Sequence, residues 1–425
     1  MTLCLNMIVK DESHIIEQTL ENICQHFKLD YWVISDTGSS DRTPEIIENF
    51  FKAKNIQGEI IYEAWQNFSY NRNIALKACL GKSDYILIFD ADDSLIGELS
   101  LPVLQKDAYY FQLSNEDLSV KYLRKLIIKN NDQYHWRGVL HEYLENKNEQ
   151  EVGEVQGDYV VISGRKGNRS LDKDKYLKDA KILEIAYIAG DDPDLLPRYA
   201  FYCAQSYKDA GQINKAIEWY LKRAELDTGW YDEKYCSFEQ LGLLYESEKN
   251  YKDALSYWQM GIAYDPQRAE CWYHSARRHS WDHHPELAYC FAKQASEIKM
   301  PEGNRLFLKK DIYKFWSLYE WCLNAYKLGK FEESYLAFKK LVEHSPEDLV
   351  NRLTHQMNEY RCLIMQDSFY DVQILAVNLN KIGKRYLLEN ILKDFTFYLK
   401  ELKGILLADR GFSNKSIRER FQRIC

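Results

Sequence analysis

The 425-residue sequence reads as two folds in series: an α/β domain with a mostly parallel sheet, then an all-α domain of helical repeats. Three observations lead there. Up to about Ser163, short apolar runs alternate with segments of helical spacing, the pattern of a sheet covered on both faces. From about Asp172, aromatic, alanine and leucine positions recur at helical spacing, with few β-branched runs. Within that second part the sequence also aligns with itself.

The first part predicts strands at Leu3–Val9, Trp32–Ser35, Glu59–Glu63, Tyr85–Phe89, Ala108–Leu113, Leu123–Ile128 and Tyr159–Ile162. Helices are expected between the early ones, over Ser13–Phe27, Thr43–Lys54 and Tyr70–Cys79. In VISDTGSSDRTPEIIENFF, a strand delivers Asp36 at its C-terminal end, and Gly38, Ser39 and Ser40 turn the chain. Thr43 is expected as an N-cap and Pro44 as the first helical residue. Ligands of open α/β sheets bind where this corner sits, at the carboxyl ends of strands. An ordinary strand-to-helix turn has the same look, so the corner needs further residues to mean more.

DYILIFDADDS supplies them. A buried apolar strand runs into Asp90, Ala91 and Asp92, with Asp93 beside them. Residues two apart in an extended segment share a face, so Asp90 and Asp92 can reach the same ion. Hard oxygen ligands with room for phosphate oxygens suit Mg²⁺ or Mn²⁺.

In the second part, Tyr202–Asp227 lines up with Leu241–Pro266: Tyr207, Ala216 and Asp227 match Tyr245, Ala254 and Asp265, each 38 positions on. Ala288 lies 34 beyond Ala254, the period of tetratricopeptide helix pairs, and Tyr319–Asp348 reads as another copy. One such pair cannot bury its own apolar face, so the copies must stack. The expected domains are 1–168, 169–350 for the repeats, and a helical segment 351–425 of unknown role.

Composition narrows the function. With 46% hydrophobic and 28% charged residues the chain can bury a large core. A net charge of −8 argues against nucleic acid as a partner, because neutralising phosphates takes a basic face. Ten cysteines without CxxC pairs or metal-ligand spacing read as reduced thiols of a cytoplasmic protein. No apolar run is long enough to be a membrane span, and none has the form of a signal peptide. GKS at Gly81 lacks the upstream glycine of a phosphate-binding loop, since Leu76 stands there. His279, His283 and His284 sit in an aromatic-rich repeat and read as packing.

The ordered set NMIVKDE, SDTGSSDRT, WQNFSYNRNIAL and DYILIFDADD resembles the GT-A domain of family 2 glycosyltransferases. HWRGVLHEYL, ISGRKGNRSLDKDKYLKDAKIL and RYAFYCAQSYKDAG extend the likeness to bacterial and viral proteins that join such a domain to tetratricopeptide repeats. Sublancin-type peptide S-glycosyltransferases are more distant relatives in architecture. The resemblance fades after about Leu349.

It implies a metal-dependent, inverting glycosyltransferase that moves a sugar from a nucleotide-sugar, a UDP-sugar by preference, to a glycan or a protein or peptide acceptor docked on the repeats. It places Asp36 on the base, Glu12 near the base or ribose, and Arg72 near the nucleotide with Asn73 supporting the loop. Asp90 and Asp92 form the DxD pair bridging ribose, metal and diphosphate. His141 is assigned to the metal or diphosphate and Glu142 to the general base, although neighbours on a strand face opposite ways, so their joint action needs a bend. A salt bridge is the competing reading of Glu142. Arg165, Lys166 and Arg169, in a basic Gly-rich loop, would close over the leaving diphosphate, or else form a solvated linker. Trp65 and Trp136 line the sugar pocket or belong to the core. The alternative from another class is a repeat scaffold carrying an inactive transferase domain. A sugar nucleotidyltransferase does not fit, because its first strand should open into a Gly-rich basic loop.

Overall fold

The computed structural model describes residues 1–118, 121–164, 166–303, 305–346, 348–350 and 352–353. The helical segment expected over 351–425 therefore lies almost wholly outside the described residues, as does Arg165.

The sheet is built on β1 (Leu3–Val9), which is buried on both faces because it alternates two apolar sets. Leu3, Leu5, Met7 and Val9 face one core with Trp32, Ile34, Leu87 and Phe89, while Cys4 faces the other with Val33, Ile86 and Ile88. β2 (Tyr31–Asp36) and β4 (Tyr85–Ile88) pair with β1 in parallel, one on each side, and β3 (Gly58–Tyr62) pairs with β2 in parallel. Helices α1 (Ile16–His26) and α2 (Thr43–Lys54) bring Ile16, Leu20, Ile23, Ile47, Phe50 and Phe51 to the first core; α3 (Phe68–Ala78) brings Leu76 to the second.

Beyond β4 the sheet turns mixed. β5 (Ser94–Ser100), β6 (Ala108–Ser114), β7 (Lys121–Lys129) and β11 (Gln156–Ile162) complete the order β3-β2-β1-β4-β7-β6-β11-β5, with β10 (Val152–Glu154) beside β6. β8 (His135–Arg137) and β9 (Tyr143–Glu145) form a separate hairpin. The onward connections of β1 and β4 run to opposite sides of the sheet, so the strand order switches between these neighbours, the usual ligand position in such sheets. All seven expected strands are present. Those the sequence did not suggest are short or half-exposed: β5 buries Leu95 but exposes Ile96, and β8 and β9 have three residues each.

One local expectation is corrected. Thr43 is the first helical residue of α2 and not its N-cap, and Pro44 is the second. The carboxylate of Asp41 accepts from the Thr43 amide instead (2.9 Å), which frees the Thr43 hydroxyl to accept from the Glu12 amide (2.8 Å).

Helices follow from Lys175 onward. α4 (Lys175–Ala189), α5 (Leu196–Asp209) and α6 (Ile213–Glu225) stack in sequence, then α7 (Tyr231–Ser247), α8 (Tyr251–Tyr264), α9 (Ala269–Trp281), α10 (Pro285–Glu297), α11 (Ser317–Lys327) and α12 (Phe331–His344). The chain divides into two compact units, Met1–Glu233 and Lys234–Cys425, so α4, α5 and α6 group with the sheet. Ala216, Ala254, Ala288 and Ala337 stand in the second helix of successive pairs, and all four are fully buried. A larger side chain at these fully buried positions would have to displace its neighbours. Ala254→Leu and Ala288→Leu should each lower stability by about 1–3 kcal/mol through overpacking. Urea denaturation checks this, and an unchanged midpoint would mean that these positions do not set the helix spacing.

Candidate active site

Two loops at the strand ends are stitched together by short polar side chains. After β1, Asp11 takes a left-handed conformation (φ 56°), and its carboxylate accepts from the amide and hydroxyl of Ser40 (2.6 and 3.0 Å). The Asp11 amide donates to the Ser39 hydroxyl, and the Ser13 amide to Asp41. These contacts account for Asp41; Asp36 behaves differently. Its Oδ1 accepts from the amides of Gly38 and Ser39, both at 2.7 Å, which closes the turn. Its Oδ2 is buried with no hydrogen-bond partner among the described residues, in a residue only 2% exposed. A buried carboxylate oxygen without a donor is costly, so the corner carries an acceptor waiting for an N–H or O–H.

A chain of ion pairs occupies the next stretch of the crevice. Asp90 follows β4 and accepts from Arg72 Nη2 (2.7 Å) on α3 and Arg124 Nη1 (3.1 Å) on β7. Arg72 Nε donates to Glu142 (2.7 Å), and Arg124 Nη2 to the buried Asp93 (2.8 Å). Burial alone would raise the Asp90 carboxyl, but Arg72 and Arg124 outweigh it and hold it well below the ordinary carboxylate range. Asp93 goes the other way: burial pushes it up to about 7 against the pull of Arg124.

Asp92 and Glu12 meet under the loop after β11. Glu12 is 9% exposed and accepts from the Asn168 amide through both oxygens (3.2 Å each), and Asp92 accepts from the Gly167 amide (3.3 Å). Desolvation, with the Asp92 charge adding to it, raises Glu12 to about 7; burial and Asp90 raise Asp92. The loop lies so near that a Cβ on Gly164 would fall 1.7 Å from the Asp92 carbonyl oxygen, so only glycine fits there. Lys166 contributes its carbonyl to His14 (2.9 Å). Arg169 is turned away from the carboxylates: it pairs with Asp179 on α4 and lies over the Phe68 ring, 4.6 Å from its centroid.

His141 and Glu142 lie in the bend between β8 and β9. Gly138 (φ 103°) and His141 (φ 54°) both take left-handed conformations and so supply the bend that adjacent residues need to act together. Glu142 points to Arg72, while the His141 ring stacks on Tyr202 of α5, centroids 3.9 Å apart and planes 14° apart. Solvent reaches the imidazole, yet it is crowded. Lost hydration and the charges of Arg198, Arg169 and Lys175 push its pKa down to about 3, so it is neutral at physiological pH.

The structure thus joins Asp90, Arg72 and Glu142 in one network, and Glu12 and Asp92 beneath one loop. Arg124 was missed in the sequence, although an arginine inside the strand KYLRKLIIK signals a buried partner. Asn73 braces the bend by exchanging hydrogen bonds with the Trp136 backbone (2.8 and 2.7 Å). Trp136 lies under Arg72, 4.9 Å away, and against the second core, whereas Trp65 is 38% exposed. Among the described residues, no three His, Cys, Asp or Glu side chains converge on a point where they could hold a metal ion. Among the described residues Asp92 has no cationic side-chain partner in direct contact, and Mg²⁺ is commonly held by one or two carboxylates together with phosphate oxygens.

The raised Glu12 carries a stability signature. Folded Glu12 holds its proton more tightly than the unfolded chain does, so its ionisation costs stability as pH rises from about 4.5 to about 7. The cost is of order 3 kcal/mol. Glu12→Gln should therefore be more stable than the parent at pH 8 and similar to it at pH 4. Parallel pH profiles in urea unfolding would contradict the buried, carboxylate-facing position of Glu12.

Residues 4–165 match the family described as Glycosyl transferase family 2. A TPR repeat-containing protein of Synechococcus elongatus is 34% identical over 122 residues, 28% of this chain; the match spans 27% of that protein's length. Among solved structures, the TPR protein YrrB, described as having an unusual peptide-binding site, is 14% identical, with 53% of this chain and 99% of that chain covered and a TM-score of 0.35. S. aureus TarS 1–349 in complex with UDP-GlcNAc is 12% identical, with 72% and 98% covered and a TM-score of 0.32. No described helix is long and apolar enough to cross a membrane. Residues 4–165 are a glycosyl transferase family 2 domain, and the chain continues from it into a helical repeat region of the tetratricopeptide kind.

Proposed function

We propose that the chain is a cytoplasmic glycosyltransferase that inverts the anomeric centre of a nucleotide-sugar, a UDP-sugar by preference, as it passes the sugar to a glycan, protein or peptide. The observation that carries the reading is the buried, unpartnered Oδ2 of Asp36 at the strand-end crevice. A base presenting an N–H beside a carbonyl, as uracil does, would satisfy it. The Asp36 turn takes the base, Glu12 the ribose side, and Asp90 and Asp92 the ribose-diphosphate region beneath the 163–170 loop.

Asp92 would hold Mg²⁺ or Mn²⁺ together with the diphosphate, and neutral His141 would assist at the metal or the diphosphate. When bound, the ion supplies positive charge for the departing diphosphate. Glu142 takes the proton from the acceptor O–H, N–H or S–H as that atom attacks C1. The bond from C1 to the diphosphate oxygen breaks on the opposite face, and its electron pair leaves with the nucleoside diphosphate. Arg72 neutralises Glu142 at rest, so Glu142 must loosen this pair to act as a base. The division into a transferase domain, 1–168, repeats over 169–350 and a last segment, 351–425, belongs to the same reading, with the acceptor docking on the repeats.

One observation favours the scaffold alternative. Both Asp90 oxygens and Glu142 are already committed to arginines, as in a site that has settled into a structural role. Calorimetric titration with UDP, GDP and CMP, with Mn²⁺ and then with EDTA, separates the two readings. UDP should bind in the presence of Mn²⁺, Asp36→Ala should weaken binding at least about tenfold, and Asp92→Ala should abolish the dependence on metal. No binding of any nucleotide would leave the scaffold reading standing.

A further inference from the structure

The bend that carries His141 and Glu142 is held from two sides, and one side lies outside the family 2 domain. On the sheet side, Asn73 pins Trp136, and the Phe68 amide donates to the Val139 carbonyl (3.3 Å). On the helical side the bend is met by α5. Tyr199, 5% exposed, accepts from the Val139 amide through its hydroxyl (3.2 Å). Arg198 Nε donates to the His141 carbonyl (2.9 Å), and its Nη1 reaches Glu233 (2.9 Å), a carboxylate only 1% exposed. The Arg198 guanidinium also lies over two rings, Tyr202 (4.8 Å) and Tyr143 (5.4 Å), and Tyr202 is the ring on which His141 stacks. Nearby, Arg137 at the end of β8 pairs with Asp192 just before α5 (2.6 Å).

We propose that Arg198 and Tyr202 are positioning residues of the active site: the first helices of the repeat region clamp the 138–142 bend and so present Glu142 to Arg72 and the acceptor. The inference rests on the transferase reading for the role of Glu142, but the clamp itself does not. A non-glycine residue in the left-handed region is uncommon, and its conformation needs support from its surroundings to offset the cost. The clamp provides that. Arg198 fixes the carbonyl of the strained residue, Tyr202 fixes its ring, and buried Glu233 fixes Arg198. The repeats are then more than an appendage for docking. Their first helices are a wall of the catalytic centre, and residues 4–165 do not contain a complete site.

Hydrogen exchange read by mass spectrometry, together with UDP release from UDP-glucose and UDP-N-acetylglucosamine, tests this on the full chain. Arg198→Ala should speed exchange of the 138–142 amides about tenfold or more while leaving β1 and β2 protected. UDP affinity should stay within about twofold, because the Asp36 corner is untouched. Turnover should fall about ten- to a hundredfold with the donor KM little changed, and added guanidinium should restore part of it. Since Arg198→Ala also strands buried Glu233, Tyr202→Leu serves as the second variant, removing the stack without leaving a buried charge. It should show the same local loosening and the same loss of turnover. Unchanged exchange over 138–142 in both variants, or loosening spread evenly through the sheet, overturns the clamp. A parent chain that binds UDP and turns over a donor, with both variants loosened at the bend yet fully active, overturns the positioning role. A parent that neither binds nucleotide nor releases UDP overturns the transferase reading instead, and the exchange contrast still decides the clamp.

Discussion

The working end of the sheet depends on one enclosed guanidinium. Arg72 is 11% exposed and ties three segments that are far apart in sequence: α3, which carries it, the Asp90 corner after β4, and the Glu142 bend between β8 and β9. Removing one partner from a buried ion pair typically costs about 3–5 kcal/mol, because the other charge is left without compensation. Arg72 therefore sets the crevice geometry more firmly than either carboxylate alone. Arg124 repeats the device on the far side of Asp90 by joining it to Asp93.

The charge balance of that region bears on its chemistry. Among the described residues, Glu12, Asp90, Asp92, Asp93 and Glu142 are gathered near Arg72 and Arg124, the arginines in direct contact with three of them, so fully ionised carboxylates outnumber those two guanidiniums. Burial raises Glu12 and Asp93 to about 7, and the neighbouring carboxylates add to it: Asp92 beside Glu12, Asp90 and Asp92 beside Asp93. Such a site repels a diphosphate until positive charge arrives, and Arg169 is not available while it pairs with Asp179. Under the proposed reaction, a divalent ion would be one compact way to supply that charge.

The central strands were legible because both of their faces are buried, which leaves continuous apolar runs such as LCLNMIV and YILI. The first helix pairs were legible because the fully buried Ala216, Ala254 and Ala288 recur at spacings of 38 and 34. What local pattern could not carry was anything decided at long range. Thr43 looks like an N-cap until the Glu12 amide, 31 positions earlier, takes its hydroxyl. Glu142 looked equally suited to a base or an ion pair, and Arg72, its partner, lies 70 positions away. Asp36 showed the reverse. Its place at a strand end was readable, but the orphaned oxygen that gives it meaning appears only once the turn has closed over the other one.

The compact unit that contains the sheet extends through α4, α5 and α6 to Glu233, whereas the family 2 match ends at residue 165. Both boundaries have a physical basis. The match follows the sheet and the loops at its strand ends. The compact unit follows packing, and here packing includes an arginine and two tyrosines that reach back to a bend of otherwise strained conformation. A bend held only by α3 would keep its Val139 carbonyl and Trp136 contacts but lose the partners of its Val139 amide and of the His141 carbonyl and ring. The left-handed backbone would then be opposed by its intrinsic preference with nothing on the outer side to hold it. The first helices of the repeat region thus stand in the position that an additional sheet or loop would need to fill if the transferase domain were to work alone.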